Sequence, residues 1–388
     1  MAEPLKNMYN GSFLEQFGER MRAAWPPFQT ERFVERARQD DWELLELKPR
    51  IRRITEALGA SLPGDYREAL AILYLVDEAC TGFPYLFFPD FVEVFGREED
   101  DWAHSMDALA RFTRRSSSEF AVRPFIIEHP DRMIPQLLEW ANHSNEHVRR
   151  LASEGSRPRL PWGQALTRFK QDPSPMLPLL EKLKADPSLY VRKSVANHLN
   201  DIAKDHPDLV MELAERWKGQ HPLTDWIVRH ACRTLIKRAH PRVMTLFGYS
   251  AGGKEAERGE ALVQAAELTL SAAEVPIGGE TELQYGIQLA GEPGQSGGTR
   301  LKLRIEYGID FVKAGGKTSL KRFLLSDREF SQGELVKGSR RHRFADLTTR
   351  KHYEGVHGIS LWVNGVEVAR TELTVSGSRN KEGRGSTH

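Results

Sequence analysis

The stretch N-E-H-V-R-R-L-A-S-E-G-S-R-P-R-L-P-W-G-Q, residues 145–164, sets the interpretation of the chain. Its first half, Glu146–Glu154, predicts a short amphipathic helix because Val148, Leu151 and Ala152 recur at i, i+3 and i+4. Gly155 supplies a stop, and two prolines and a glycine within Ser156–Gly163 exclude further helix. Three arginines, a carboxylate and Trp162 thus stand at a helix end on a stiff loop, which suits an anionic, aromatic ligand such as DNA.

A Val-Arg step recurs near the start of alternate predicted helices. Its members are Val122-Arg123, Val148-Arg149, Val191-Arg192 and Val228-Arg229, spaced 26, 43 and 37 residues apart. Related segments between them, P-D-R-M-I-P-Q-L-L-E-W from Pro130 and P-D-L-V-M-E-L-A-E-R-W from Pro207, each predict the first helix of a pair. Helix pairs at about 37–45 residues per unit are typical of HEAT-type repeats, which stack into a curved solenoid. In such repeats the valine packs inward, and the arginine faces outward or braces its neighbour.

After Phe247 the pattern changes to alternation with period two, which is typical of half-buried strands. Asn364-Gly365 between two alternating apolar runs predicts a hairpin. About seven strands in roughly 115 residues favour a small immunoglobulin-like β-sandwich. The predicted fold is therefore an α+β multidomain chain, with a HEAT-like helical solenoid followed by the sandwich. The predicted limits are 1–250 for the solenoid, 251–260 for a linker, 261–376 for the sandwich and 377–388 for a flexible tail.

The net charge of +1 hides two basic zones. Residues 111–250 hold 23 Lys and Arg against 15 Asp and Glu, and residues 300–351 hold 14 against 6. Residues 1–110 are acidic, with 12 against 21. Zones of this kind attract polyanions, although a solvated surface explains either zone alone equally well.

Several classes of chemistry are excluded. Cys80 and Cys232 offer neither a disulfide framework nor metal-ligand spacing, and the histidines form no zinc motif. The G-G-K of residues 252–254 lacks the spacing of a phosphate-binding loop. The N-terminus has no signal-peptide pattern, and no apolar run reaches membrane length. We expect no metal, no cofactor, no membrane contact and a reducing, cytoplasmic environment.

Three motifs carry a family resemblance: E-H-V-R-R-L-A-S-E-G-S-R-P-R-L-P-W (Glu146–Trp162), V-R-K-S-V-A-N-H-L-N-D-I-A-K-D-H-P (Val191–Pro207) and V-R-H-A-C-R-T-L-I-K-R-A-H-P (Val228–Pro241). They resemble the AlkC-type DNA alkylation-repair glycosylases, a branch of the HEAT-like glycosylases. The first motif is quite specific, whereas the other two are shared with HEAT repeats broadly. The resemblance covers almost the whole chain, since AlkC-type members carry a C-terminal Ig-like domain.

The resemblance implies base excision repair of cationic N-methylated bases, chiefly 3-methyladenine and 3-methylcytosine, without full base flipping. A cationic base is already a good leaving group, so no strong general acid is needed. Cleavage leaves an oxocarbenium-like sugar, whose charge a nearby carboxylate stabilises while it orients a water.

The candidate catalytic residues follow from the repeats and the resemblance. Glu154 is the first choice, together with Arg150 beside it, and an ion pair between the two is the plainer interpretation. Glu119 precedes the Val-Arg step of the repeat before it, where a helix-dipole charge explains it equally well. Asp201 lies in the next repeat, where Asn200 is the alternative register and a solvated helix face the alternative role. Stacking would bring the three carboxylates onto one concave wall, and Trp162 would press on the lesion nucleotide or its sugar.

Double-stranded DNA is the expected partner, bound by a monomer that associates with the nucleoid. The expected phosphate contacts of the solenoid are Arg157, Arg159, Arg192 and Lys193. Those of the sandwich are Lys321, Arg322, Arg340, Arg341 and Arg343, of which R-R-H-R at 340–343 is interpreted as a loop able to enter a groove. The alternatives are a non-enzymatic HEAT-repeat scaffold and a catalytically inactive DNA-binding protein.

Overall fold

The computed structural model describes residues 4–39, 41–250, 262–291, 300–347 and 350–377. Contacts between residues divide the chain into two compact units, Met1–Arg233 and Thr234–His388. The predicted linker, and all of the predicted tail except residue 377, lie outside the described residues, so the predicted domain limits remain predictions. Within the described residues, no helix combines the length and the apolar character needed to cross a membrane.

The first unit is helical, as predicted, and helices continue a short way into the second unit, as far as Leu246. The α-helices of the described residues are α1 (Gly11–Ala24), α2 (Thr30–Ala37), α3 (Leu47–Gly59), α4 (Tyr66–Tyr74), α5 (Phe87–Phe95), α6 (Trp102–Phe112), α7 (Val122–Glu128), α8 (Pro130–Trp140), α9 (Glu146–Gly155), α10 (Thr167–Gln171), α11 (Leu177–Leu183), α12 (Leu189–Ile202), α13 (Pro207–Trp217), α14 (Pro222–Ala231), α15 (Arg233–Lys237) and α16 (Pro241–Leu246). Pro130 and Pro207 begin α8 and α13, where a proline costs no hydrogen bond because the first amide has no helical acceptor.

The Val-Arg helices stack on one another. α9 packs against α12 and α12 against α14, while each also contacts the helix that precedes it, α8, α11 or α13. Val148, Val191 and Val228 are buried between these layers. The inward valine of the predicted repeat is therefore confirmed, and the row of stacked helices is what places residues of successive repeats side by side.

The arginines of two Val-Arg steps brace the turn before α12. Arg149 forms a bidentate ion pair with Asp186, with Nε–Oδ2 and Nη2–Oδ1 distances of 2.6 and 3.0 Å. Arg192 donates from Nη1 to the carbonyl oxygens of Asp186 and Pro187 at 2.7 and 2.8 Å. One short turn thus connects the arginines of two successive repeats. Of the two predicted roles, facing outward or bracing a neighbour, these arginines have the second.

The second unit carries a sandwich of two sheets. Its strands are β1 (Val263–Leu270), β2 (Glu274–Pro276), β3 (Glu280–Leu289), β4 (Arg300–Val312), β5 (Thr318–Ser331), β6 (Leu335–Arg343), β7 (Gly355–Val363) and β8 (Val366–Ser376). The sheet orders are β1-β3-β6 and β2-β8-β7-β4-β5, and among the described strands only the β2–β8 pair is parallel. Asn364 and Gly365 join β7 to β8 with positive φ angles of 47° and 83°, which confirms the predicted hairpin.

The interpretation of R-R-H-R as a loop is wrong. Residues 340–343 belong to β6, which pairs along its length with β3, so that Arg340 lies opposite Leu283 and Arg341 opposite Glu282. β6 is an edge strand of its sheet. Cationic side chains on an edge strand disfavour its pairing with a strand of another chain. The strand was missed because Val336 is the one buried hydrophobic residue among the described residues of β6.

Three histidines are enclosed in the sandwich around Phe344. The ring centroids of His342, His352 and His357 lie 5.0, 5.7 and 5.6 Å from that of Phe344. No described residue hydrogen-bonds to Nε2 of any of the three. Burial, together with neighbouring cationic groups, lowers the pKa of each ring, to about 4 for His342.

We expect the sandwich to lose stability as the pH falls from 6.5 toward 4. In the unfolded chain the histidines take up protons near pH 6.5, whereas the folded state resists protonation down to about 4 for His342. The free energy of unfolding should be unaffected above pH 6.5 and fall by about 1–3 kcal/mol over this window. Hydrogen exchange of β6 and β7 amides measures the loss, and His342→Phe should reduce it. An equal pH response in that variant would contradict the assignment.

Candidate active site

The end of α9 carries two of the predicted catalytic residues on one side. Arg150 and Glu154 are four residues apart in the helix, so their side chains share a face. Asn145 caps the helix by accepting a hydrogen bond from the amide of His147. Gly155 is the last helical residue, and a Cβ there would lie 2.5 Å from Cγ1 of Val122 in α7. The glycine therefore allows α9 to end close against the preceding repeat.

Arg150 joins Glu154 to the carboxylate of the preceding repeat. Its Nη1 lies 2.6 Å from Oε2 of Glu119, and its Nη2 lies 3.5 Å from Oε1 of Glu154. The same Nη1 donates to Oγ of Ser117, which in turn donates to Glu119 Oε2 at 2.9 Å. The turn before α7 thus presents Ser117 and Glu119 to one arginine of α9.

Arg157 joins Glu154 to the carboxylate of the following repeat. Its Nη1 donates to Glu154 Oε1 at 2.7 Å, and its Nε donates to Asp201 Oδ2 at 2.9 Å. The second oxygen of Asp201 accepts from Lys204 at 2.9 Å. Glu119, Glu154 and Asp201 therefore form one ion-pair chain through Arg150 and Arg157, which we call the carboxylate network. The network extends over three successive repeats.

The carboxylate network is largely removed from water. Glu154, Arg157 and Asp201 are only 6%, 7% and 2% exposed. Burial alone raises the pKa of Glu154, but the charges of Arg150 and Arg157 and a hydrogen bond from Ser194 outweigh it, and the net pKa is lowered. Glu154 is consequently ionised at neutral pH inside a site of low dielectric, where its charge acts strongly on a nearby cation.

Arg123 holds the loop that follows α9. It is 1% exposed and donates from Nη1 to the carbonyl oxygens of Gly155 and Arg157 at 2.7 and 2.9 Å, and from Nε to that of Gln164 at 2.6 Å. Burial, with the charge of Arg157, lowers the pKa of this guanidinium to about 10. The arginine of the Val122-Arg123 step is therefore a brace, and it fixes the backbone from which Arg157 reaches its two carboxylates.

Trp162 stands on the same loop, outside the carboxylate network. Its side chain is 62% exposed, and its φ of 62° lies in the left-handed region, which is costly for a residue with a large side chain. Lys48 of α3 donates to its carbonyl oxygen at 2.9 Å. A strained backbone that presents a large indole to solvent is typical of a functional site rather than of a packed core.

The predicted phosphate contacts of the solenoid fall into two groups. Lys193 is exposed, and Arg159 is half-buried in a bidentate pair with Asp205. Arg157 and Arg192, by contrast, are buried and bound to carboxylate or carbonyl oxygens. Their burial argues against phosphate contacts at these two positions.

The cations predicted on the sandwich also differ in their surroundings. Lys321 of β5 and Arg340, Arg341 and Arg343 of β6 are exposed. Arg322 is half-buried, donates to the carbonyl oxygen of Lys237 and lies 4.9 Å from the Trp362 ring centroid. Four of the five cations are therefore accessible to a polyanion, whereas Arg322 is engaged within its own unit.

The role of Arg157 in the network was missed by sequence reasoning, as were Ser117 and Ser194. Arg157 follows Glu154 by three residues, a spacing that allows an ion pair. Whether the pair forms depends on the path of the loop after α9, which the sequence does not reveal. Among the described residues, no group of three or more His, Cys, Asp or Glu side chains is arranged to hold a metal ion.

Two stretches of the chain match described families. Residues 113–235, which include the whole carboxylate network, match the family described as DNA alkylation repair enzyme. Residues 264–377 match the family described as uncharacterised protein YhaZ, C-terminal Ig-like domain.

Two proteins are similar to the chain over almost its entire length. The chain is 45% identical over 361 residues to the uncharacterized protein YhaZ of Bacillus subtilis (strain 168), covering 93% of this chain and 96% of that protein. It also matches the structure of Pseudomonas fluorescens alkylpurine DNA glycosylase AlkC bound to DNA containing an abasic site analog. That match has a TM-score of 0.88 and 38% identity, and covers 96% of this chain and 99% of the other.

Proposed function

The chain belongs to the AlkC-type family of DNA alkylation repair enzymes with a C-terminal Ig-like domain, and on this premise we propose that it excises cationic N-methylated bases from double-stranded DNA. By family it is an alkylation-repair DNA glycosylase. The bases proposed are 3-methyladenine and 3-methylcytosine, released by a monomer in base excision repair without full base flipping.

The carboxylate network is the observation that carries this proposal. A methylated base that is already positive leaves as a neutral molecule, so the reaction needs charge stabilisation at the sugar more than proton donation to the base. Loss of the base makes the sugar oxocarbenium-like. An ionised carboxylate fixed in a site of low dielectric stabilises that cation without having to reorganise. Glu154 meets these requirements because two arginines keep it ionised and hold it in place.

The three carboxylates take different roles in this mechanism. Glu154 faces the sugar and orients the attacking water, and Glu119, with its Ser117 contact, supports it from the preceding repeat. Asp201 has both oxygens engaged, one by Arg157 and one by Lys204, so it acts by positioning Arg157. Arg150 acts likewise between Glu119 and Glu154.

Trp162 is proposed to press on the lesion nucleotide or its sugar. Its exposed indole stands on the loop that also supplies Arg157, so it is anchored to the network through the backbone. An aromatic face is a sequence-tolerant surface for a base or sugar. Such a contact from outside the helix fits excision without a deep base pocket.

We expect the exposed cations of the sandwich to contribute to DNA affinity through phosphate contacts. The quadruple variant Lys321→Gln, Arg340→Gln, Arg341→Gln and Arg343→Gln should weaken duplex binding about tenfold or more. The slope of log K against log salt should also become shallower, by up to about 0.9 per lost phosphate contact. Fluorescence anisotropy at several salt concentrations measures both.

A control within the same unit replaces Arg370 by Gln. This arginine is held by two carboxylates, Glu367 and Asp310, whereas Arg341 of the quadruple set has one distant carboxylate partner, Glu282 at 3.8 Å. The control should keep the wild-type slope. A quadruple variant with an unchanged slope would remove these cations from the DNA interface.

The proposed function is tested by comparing duplexes that carry a single 3-methyladenine, 3-methylcytosine, uracil or undamaged adenine. We expect release of the two cationic bases and no release of the neutral ones, because the site offers charge stabilisation but no strong general acid. Chromatography of the free bases under single-turnover conditions gives the rates. Normal duplex binding without release of either methylated base would favour the inactive DNA-binding alternative instead.

A further inference from the structure

Tyr190 lies next to the carboxylate network without being part of it. It is the second residue of α12, whose N-cap Ser188 accepts a hydrogen bond from its amide at 3.2 Å. Asp201 stands near the other end of the same helix. The Tyr190 side chain is 40% exposed, so it contributes little to the core between the repeats.

The ring of Tyr190 covers Arg150. The guanidinium carbon of Arg150 lies 4.9 Å from the ring centroid, within the range of a cation–π contact. The His147 ring meets Tyr190 edge-on at 5.5 Å and backs it from the same helix as Arg150. Arg150 is therefore held by two carboxylates through its nitrogens and by an aromatic ring near its guanidinium carbon.

The contact bears on how Arg150 performs its task. An arginine side chain has many rotamers, and freezing one of them between two carboxylates costs conformational entropy. A ring packed against the guanidinium limits those rotamers and keeps water away, which strengthens the ion pairs to Glu119 and Glu154. No described residue hydrogen-bonds to the Tyr190 hydroxyl, so the ring alone supplies the effect.

We propose that Tyr190 is a positioning residue that holds Arg150 between Glu119 and Glu154. The expected effect on catalysis rests on the proposed function. The contact itself is a property of the folded chain. Loss of the ring lets Arg150 leave its bridging position, so Glu154 is less well fixed when the sugar becomes cationic.

The experiment compares Tyr190→Leu with Tyr190→Phe in the full chain. The single-turnover rate of 3-methyladenine release should fall about tenfold in Tyr190→Leu, equivalent to about 1.4 kcal/mol of barrier, and remain near wild type in Tyr190→Phe. DNA affinity should be unchanged in both, because the ring acts on Arg150 rather than on phosphate. Phe83→Leu, which removes a comparably exposed ring outside the network, is the control and should have no effect.

A double-mutant cycle separates positioning from general damage. In an Arg150→Met background, Tyr190→Leu should cause no further loss of rate, since its target is already gone. An equal tenfold loss in that background would overturn the proposal, as would a wild-type rate in Tyr190→Leu or a loss confined to DNA affinity.

A second readout does not depend on catalysis. The Nε–Hε resonance of Arg150 should carry a ring-current shift in the wild type and in Tyr190→Phe, and lose it in Tyr190→Leu. An unchanged resonance in Tyr190→Leu would overturn the contact itself. If the wild type released no base while the resonance behaved as expected, the proposed function would fail and the Arg150 contact would stand.

Discussion

Glu154→Gln should slow single-turnover release of 3-methyladenine by about 10²–10³-fold while duplex affinity stays near wild type. The substitution keeps the shape of the side chain but removes the negative charge that stabilises the oxocarbenium-like sugar. Glutamine keeps one oxygen for the guanidinium groups of Arg150 and Arg157, which both contact Oε1 of Glu154, so the NH₂ group takes the place of Oε2. Rapid-quench measurement of base release gives the rate, and anisotropy gives the affinity.

Glu146→Gln is the matched control for this variant. Glu146 lies on the same helix, but it is exposed and bonds Ser188 rather than an arginine of the network. Its rate should be close to wild type. If Glu154→Gln were as fast as Glu146→Gln, Glu154 would not be the catalytic carboxylate, and Glu119, whose side chain is the most exposed of the three, would take its place.

Arg157→Met should lower the free energy of unfolding by about 3–5 kcal/mol. The variant removes the cation that Glu154 and Asp201 share, so that each buried carboxylate keeps only one partner, Arg150 or Lys204. Incomplete compensation of two buried charges is far more costly than the loss of a surface contact. Urea denaturation followed by helical circular dichroism measures the change. Adding Asp201→Asn should recover part of the loss, because one of the two incompletely compensated charges is then removed.

Arg159→Met tests the same argument at a surface pair. Arg159 is two residues away, and its bidentate partner Asp205 is partly exposed, so the variant should cost only about 0–1 kcal/mol. A stable Arg157→Met variant with weakened DNA affinity would restore the phosphate contact expected from the sequence. That result would also remove Arg157 from the carboxylate network.

The repeats and the sandwich were predictable because their signals are local and periodic. The Val-Arg steps mark helices whose valines are buried, and Pro130 and Pro207 mark helix starts. Asn364-Gly365 marks a hairpin by the backbone angles it permits. Placing three carboxylates in successive stacked repeats was enough to expect Glu119, Glu154 and Asp201 on one wall, and the structure brings them into one network.

The contacts of the loop after α9 were not predictable in the same way. Whether Arg157 points to solvent or to Asp201 depends on the path of residues 155–164, which Arg123 fixes from a different repeat. β6 escaped recognition because an edge strand with a cationic face has little apolar alternation. The basic residues of both segments suggested contacts with DNA. Burial assigns Arg157 to the carboxylate network instead, whereas the cations of β6 remain exposed on a strand.

The identity of the product tests the account most directly. The wild-type protein is incubated with a duplex containing one 3-methyladenine, and the products are separated into free base and DNA strand. We predict free 3-methyladenine together with a strand that carries an abasic site, in equal amounts. Unmodified adenine left in the strand, or a strand with the methylated base still attached, would contradict glycosidic cleavage by this chain.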